Sequence, residues 1–268
     1  MPTDIDFDKQ ARDFDQFLPL LSPVADRLVQ SLAGLEPGAA VLDIACGTGE
    51  PGLTLLQRRP GLRLIGIDSS EAMIAVARHK AARRDLDGAR FEVMNSQHLA
   101  LADRAIDAVV SRFGLLSFAD PVAEATELAR VLRPGGTFAI AAWDAVSMNT
   151  ASFAIMTAAW EQLPEPVQGI FRRQEPFTML GRREAWLAGA GLTGLHSELF
   201  SWQVDFPDEA ALWTLVSGPG ALGAFAGALD DDTLSGIRRR FDELLAHYRR
   251  EDGSYQLPFA CRLITGRR

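Results

Sequence analysis

Val41-Leu42-Asp43-Ile44-Ala45-Cys46-Gly47-Thr48-Gly49-Glu50-Pro51-Gly52 is the stretch on which the fold turns. Val41 to Ile44 is short, apolar and β-branched enough for a buried parallel strand, with an acid near its carboxyl end. Gly47 and Gly49 permit a tight turn and close approach of backbone to a ligand. Pro51 suits the first turn of a helix, where a missing N–H costs nothing. Strand, glycine turn and helix start together place a small ligand at the carboxyl edge of a sheet. Read literally, Gly47 to Gly52 also satisfies G-x-G-x-x-G, but a chain with 23 glycines can produce that match by chance. A diphosphate needs free N–H groups at a helix N-terminus. Here Glu50 adds negative charge, Pro51 removes a donor, and Asp43 brings a second carboxylate. Those surroundings suit a ligand with a cationic end.

The same stretch resembles motif I of the class I S-adenosylmethionine-dependent methyltransferases, D/E-x-G-x-G-x-G, with Asp43, Ala45, Gly47 and Gly49 at its four fixed positions. Ala45 replaces the usual first glycine, a change tolerable at a negative φ. S-adenosyl-L-methionine, with an ammonium and a sulfonium but no phosphate, is the cofactor this implies. Arg133-Pro134-Gly135-Gly136 is similar to the family's turn before strand five. Ile106 to Ser111, running into Arg112-Phe113-Gly114, resembles F-D-x-V-x-S-x-F-G. Within the class the chain resembles the ubiquinone/menaquinone-biosynthesis-like (methyltransferase type 11) group. The resemblance covers 40–143 by motif and the remainder by architecture. It implies an α/β fold: a Rossmann-like seven-stranded sheet with its last strand antiparallel, helices on both faces and a helical cap.

Residue roles follow from the resemblance. Asp43, Ala45, Cys46 (through its backbone), Gly47 and Gly49 form the cofactor loop. Asp68, ~20 residues beyond it, sits where a carboxylate bonds ribose hydroxyls, a device NAD enzymes share, and Ser69 follows it. Met73 is either core or an adenine contact. Asn95 and Ser96 stand where the adenine amine is received. Ser111 and Phe113 end strand four beside the reactive methyl, with Arg112 as a solvated or substrate-facing charge. Phe14-Asp15-Gln16-Phe17 resembles the Y-D-x-W lid, Phe17 toward the cofactor and Phe14 toward the substrate. Phe14 lacks the tyrosine hydroxyl, so a hydrogen bond to the methionine carboxylate is lost.

Length and charge narrow the partners. The 268 residues carry 47% hydrophobic and 23% charged side chains, ordinary for a soluble globular chain. Lys+Arg 27 against Asp+Glu 35 gives −8, which disfavours nucleic acid as a partner. No run approaches the ~20 apolar residues of a membrane span. Cys46 and Cys261 give neither a disulfide framework nor a metal site. The expectation is a cytoplasmic protein with a small-molecule substrate, a homodimer being left open.

The remaining chain reads in order. Residues 1–36 form an N-terminal lid with a helix from Ser22 or Pro23 to Ala33, and 37–144 the cofactor core. That core holds a helix from Leu53 to Arg59, strand two at Leu64 to Ile67, a helix from Ser70 to Arg84, strand three at Phe91 to Met94, a helix from Pro121 to Leu132 and strand five at Thr137 to Trp143. Residues 145–180 break the rhythm with Met148, Phe153, Met156, Trp160, Phe171 and Phe177, a helical cap. Residues 181–268 return to the sheet: a helix from Arg182, a strand beginning at Gly191-Leu192, and a last strand from Leu257 to Ile264. Between them 207–252 is a helical insertion carrying Leu212, Trp213, Leu215 and Phe225, then a helix striped by Leu234, Ile237, Phe241, Leu244 and Tyr248. The apolar residues form a small helical core, a greasy substrate pocket, or both; Trp143, Met156, Trp160 and Trp213 are its candidate walls.

Methyl transfer from a sulfonium needs collinear positioning, and a base only when the acceptor must lose a proton. His98 and Asp144 are the candidate catalytic groups; His79 and His247 read as surface, and His196 has no evident partner. No metal pattern or nucleophile triad appears. The expected function is methyl transfer to a small, largely apolar molecule: a quinone, phenol, isoprenoid or other secondary metabolite. The alternatives are a cofactor-binding protein that guides a non-methyl reaction such as a cyclisation, and an NAD-dependent oxidoreductase.

Overall fold

The computed structural model describes residues 11, 14–117, 119–143, 149–160, 162, 181–217 and 229–268. Its strands are β1 (Ala40–Ile44), β2 (Arg63–Asp68), β3 (Ala89–Val93), β4 (Ile106–Arg112), β5 (Leu132–Trp143), β6 (Thr193–Phe206) and β7 (Tyr255–Arg267). The helices among the described residues are α1 (Leu18–Ser31), α2 (Gly52–Arg58), α3 (Glu71–Arg83), α4 (Pro121–Val131), α5 (Thr150–Trp160), α6 (Arg182–Gly189), α7 (Glu209–Ser217) and α8 (Asp231–Leu245). A 3-10 turn, Phe14–Phe17, precedes α1.

The seven strands form one sheet in the order β3-β2-β1-β4-β5-β7-β6. β1 pairs in parallel with β2 on one side and β4 on the other, β4 pairs in parallel with β5, and β7 runs antiparallel to β5 from Thr137↔Arg267 to Trp143↔Cys261. This is the seven-stranded α/β sheet expected from the resemblance. Strand order reverses between β1 and β4, and the crevice at such a switch point is where open α/β sheets receive ligands.

All five residues of β1 are buried, as the unbroken apolar run of a central parallel strand requires. Alternation sends Leu42, Ile44, Val109, Phe138 and Ile140 to one face, where they join Leu128 and Val131 of α4 and Leu187 of α6 in a single core. α1 lies against β4 and β5, and α2 and α3 lie against β2. None of their buried residues belongs to that core, so they cover the opposite face, the one carrying Asp43.

Several boundaries differ from the sequence reading. α1 begins at Leu18, with Pro19 in its first turn, and encloses Pro23. The Pro19 carbonyl, which Pro23 cannot bond, accepts the Ser22 hydroxyl at 2.9 Å. β3 spans Ala89–Val93 and leaves Met94 outside it. Arg133-Pro134-Gly135-Gly136 is an irregularity inside β5 and not a turn before it: Leu132 pairs with Ile106, and the register then shifts to Ala108↔Thr137. Gly135 N donates to the Arg268 carbonyl and Arg268 N to Gly136, both at 2.9 Å. Gly191 closes α6 at φ 85 instead of opening β6.

The chain divides into two compact units. One comprises 7–143, 180–200 and 261–268 and holds β1 to β5. The other comprises 1–6, 144–179 and 201–260 and holds α5, α7 and α8. In it Asn149, 3% exposed, exchanges two hydrogen bonds with the backbone of Ala260, at 3.1 and 2.9 Å, anchoring the start of α5. α5 buries Ala151, Ala154, Ile155, Ala158 and Ala159, while Phe153 and Trp160 are exposed. On α8 Ile237, Phe241 and Leu245 are buried; Leu245 takes the place expected of Leu244, one position on. Met148, Phe171, Phe177 and Phe225 lie outside the described residues. No described helix is long and apolar enough to cross a membrane.

Candidate functional site

The loop between β1 and α2 is held from below. Cys46 N donates to the Ile67 carbonyl and Gly49 N to the Cys46 carbonyl, both at 2.9 Å. Gly47 and Gly49 take φ of 53 and 98, which the two glycines allow. Ala45 also has a positive φ, 55, so the negative angle expected for it is wrong: the residue carries left-handed strain where the motif uses glycine. Its methyl fixes a neighbour, since a Cβ on Gly114 would lie 2.2 Å from the Ala45 Cβ. Phe113, at φ 66, is strained too and stacks on Trp143 with ring centroids 3.9 Å apart and planes 9° from parallel.

Asp43 is completely buried. Its Oδ2 accepts from Gly52 N at 3.0 Å, and among the described residues its Oδ1 has no partner. Burial pushes its pKa up to about 7, with Glu50 and Asp68 adding to the rise and the Gly52 hydrogen bond and Arg112 opposing it. A buried acceptor left open is what a cationic group would satisfy. A diphosphate finds nothing comparable, because the amides opening α2 are all engaged. Gly52 N donates to Asp43, Leu53 N to Gly49 O at 2.8 Å, Thr54 N to Glu50 Oε2 at 3.1 Å and Leu55 N to Pro51 O at 2.9 Å. The residues present fit a phosphate-free, cationic nucleoside such as S-adenosylmethionine and do not fit a dinucleotide.

Asp68 closes β2 with Oδ2 accepting from Gly47 N at 2.9 Å and Oδ1 from Ser70 N at 3.0 Å, tying the loop to the start of α3. Ser69 is exposed beside it. The 3-10 turn rests on the loop: Asp15 Oδ1 accepts from Thr48 Oγ1 at 2.6 Å and from Lys80 Nζ at 3.2 Å, and Phe14 lies 3.8 Å from where a Gly47 Cβ would stand. Phe17 is half-buried in the same turn, its ring 6.5 Å from that of Phe14.

Other candidates are committed elsewhere. Ser111 is buried against the core, donating to the Ile44 carbonyl at 2.7 Å and accepting from Leu115 N at 3.1 Å. Ser96 gives its hydroxyl to Glu124 at 2.6 Å. The Asn95 oxygen accepts from Gln97 N at 2.9 Å in a local turn. Met73 is 2% exposed and packs in the core at the start of α3. Cys46 is buried, and burial pushes its thiol well above the usual range, away from nucleophilic use. His98 is exposed, next to Glu127 and not to the glycine loop. Asp144 lies outside the described residues. In the other unit Met156 is half-buried, Trp160 is 37% exposed, and Trp213 packs on Phe241 and under the Arg238 guanidinium. Among the described residues no group of His, Cys, Asp or Glu is placed to hold a metal.

Thr48, Lys80 and Glu124 make contacts around the loops that the sequence reading does not single out. Lys80 had a signal, a lysine one turn after Ala77 on the stripe Met73, Ala77, Ala81. Glu124 had one as well, an acid 3% exposed on the inner stripe with Ala125 and Leu128. Its carboxylate joins the loops after β3 and β4 through Ser96 Oγ and, at 2.7 Å, Leu116 N.

A family model described as a methyltransferase domain matches residues 35–181. Demethylmenaquinone methyltransferase of Thermus thermophilus is 38% identical over 138 residues, 50% of this chain and 62% of that protein. The chain thus spans less than two thirds of that relative. Malonyl-[acyl-carrier protein] O-methyltransferase of Pectobacterium atrosepticum is 29% identical across 97% of this chain and 92% of its own. Among solved structures the YcgJ protein of Bacillus subtilis superposes with a TM-score of 0.61 at 18% identity, covering 91% of this chain and 97% of that one.

Proposed function

From the premise that this chain belongs to the methyltransferase-domain family of S-adenosylmethionine-dependent enzymes, we propose that it binds S-adenosylmethionine and methylates a small, largely apolar molecule. The open Asp43 Oδ1 beside a helix start whose first amides are already engaged carries the reading. The cofactor supplies an electrophilic methyl on a sulfonium. Asp43 receives the ammonium, Asp68 the ribose hydroxyls, and the backbone of Ala45 to Gly49 the intervening atoms. Phe113, held at positive φ and backed by Trp143, walls the reacting centre at the end of β4. The turn at Phe14–Phe17 acts as a lid latched by Asp15 to Thr48 and Lys80.

Three observations support an apolar acceptor. Phe153 and Trp160 are exposed on α5. The chain carries a net charge of −8, unsuited to nucleic acid. A relative is named for demethylmenaquinone. Residues 37–144 serve the cofactor, and the helices of 145–180 and 207–252 select the acceptor. Calorimetry with S-adenosylhomocysteine tests the first half; no heat at millimolar ligand ends the reading. Mass spectrometry over quinones, phenols, prenyl compounds and acyl thioesters tests the second. The expected product gains one methylene mass, whereas conversion without that gain points to a non-methyl reaction.

A further inference from the structure

Arg112 ends β4 with its side chain 9% exposed, and among the described residues it makes no hydrogen bond or ion pair. The register Asp43↔Val110 places Arg112, two residues on, on the same face of the sheet as Asp43 and about 6.6 Å nearer the carboxyl edge. Two opposite charges thus stand side by side in the interior, attracted but not bonded to one another, with the Asp43 Oδ1 open. A buried guanidinium without an acceptor is costly, as is a carboxylate oxygen without a donor. One ligand group relieves both: a zwitterion, its ammonium on Asp43 and its carboxylate across the planar fork of Arg112. A plain anion would not serve, because Asp43, Glu50 and Asp15 all lie within electrostatic reach of Arg112 and repel it.

We propose that Arg112 binds the α-carboxylate of the cofactor's amino-acid end and makes the site selective for adenosyl ligands that retain it. Arg112 then replaces the tyrosine hydroxyl that Phe14 lacks. The proposal rests on reading the site as one for S-adenosylmethionine.

Calorimetry on the full chain compares S-adenosylmethionine, its decarboxylated form and 5′-methylthioadenosine, which lacks the amino-acid end. The wild-type protein should prefer the carboxylated ligand by about 10- to 100-fold, the value of a charge-assisted hydrogen bond pair. Arg112→Met should reduce that preference to within about threefold and leave 5′-methylthioadenosine binding unchanged; Arg112→Lys should be intermediate. Equal wild-type affinity for the first two ligands overturns the role of Arg112 while the cofactor reading stands, and needs no variant to fold. An Arg112→Met protein that weakens all three ligands alike also overturns it, the residue then being structural. A wild-type protein that binds none of the three overturns the cofactor reading itself and this proposal with it.

Discussion

Single residues set the chemistry of the cofactor loop, and Asp43 sets most of it. A carboxyl raised from 3.8 to about 7 is protonated below that pH and charged above it. Its stability contribution is full below pH ~4 and is lost as pH rises through 7, up to roughly 4 kcal/mol. Asp43→Asn should therefore make the ligand-free protein more stable at pH 8, less so at pH 5, and change it little below pH ~4, as read by chemical denaturation. Wild-type affinity for S-adenosylhomocysteine should fall as pH drops below 7, because the ammonium then meets a neutral acid, with Arg112, Glu50 and Asp68 the neighbours that tune the midpoint. An affinity flat from pH 6 to 8 would take Asp43 out of ammonium binding. The pair Ala45 and Gly114 gives a second prediction. Ala45→Gly should stabilise by about 1 kcal/mol by releasing left-handed strain. Gly114→Ala should destabilise by about 2–3 kcal/mol through overlap with the Ala45 methyl. The double variant should recover most of that loss, because without the methyl the nearest Ala45 atom is 3.4 Å away. Additive losses in thermal denaturation would refute the contact.

Elements are tied together at the carboxyl edge by polar side chains as well as by apolar packing. α4 contributes Glu124, which gathers the loops after β3 and β4, and burial raises its pKa although both donors oppose the rise. Glu124→Gln leaves one acceptor for two donors and should cost about 1–3 kcal/mol. It should also raise hydrogen exchange at the Leu116 amide by more than at the Val109 amide in the strand behind it. Equal increases would mean that α4 as a whole had loosened. The Phe14–Phe17 turn is held more weakly: the Lys80–Asp15 pair is partly exposed and belongs with surface ion pairs of below about 1 kcal/mol. A latch of that strength is compatible with opening to admit a ligand.

At the level of the whole molecule two units divide the chain, and the functional reading divides with them. The cofactor contacts proposed for Asp43, Asp68 and Arg112 all belong to one unit; Trp160 and Trp213 belong to the other. Trp160→Ala or Trp213→Ala should raise the acceptor KM by about tenfold and leave S-adenosylhomocysteine affinity within twofold, consistent with roughly 1–2 kcal/mol for an aromatic contact. Parallel losses for both ligands would return these tryptophans to plain packing. Trp213 is the more demanding case, because Phe241 and Arg238 already engage its ring.

The sequence by itself determined the central strands, the loop and the sign of the ligand's charge, and the family resemblance implied the seven-stranded sheet. Period-two apolar runs, glycines at fixed spacing and acids at strand ends are local properties, and local sterics and charge suffice to read them. Tertiary structure alone decided which polar atoms remain open. Ser96, Ser111 and the Asn95 oxygen were legible as site residues but are spent on Glu124, the Ile44 carbonyl and a turn. Arg112 reads from sequence as either a solvated or a substrate-facing charge, and only the register puts it on the buried face with Asp43. A hydrogen bond between distant segments depends on how strands pair and helices dock, and no single stretch of sequence carries that information.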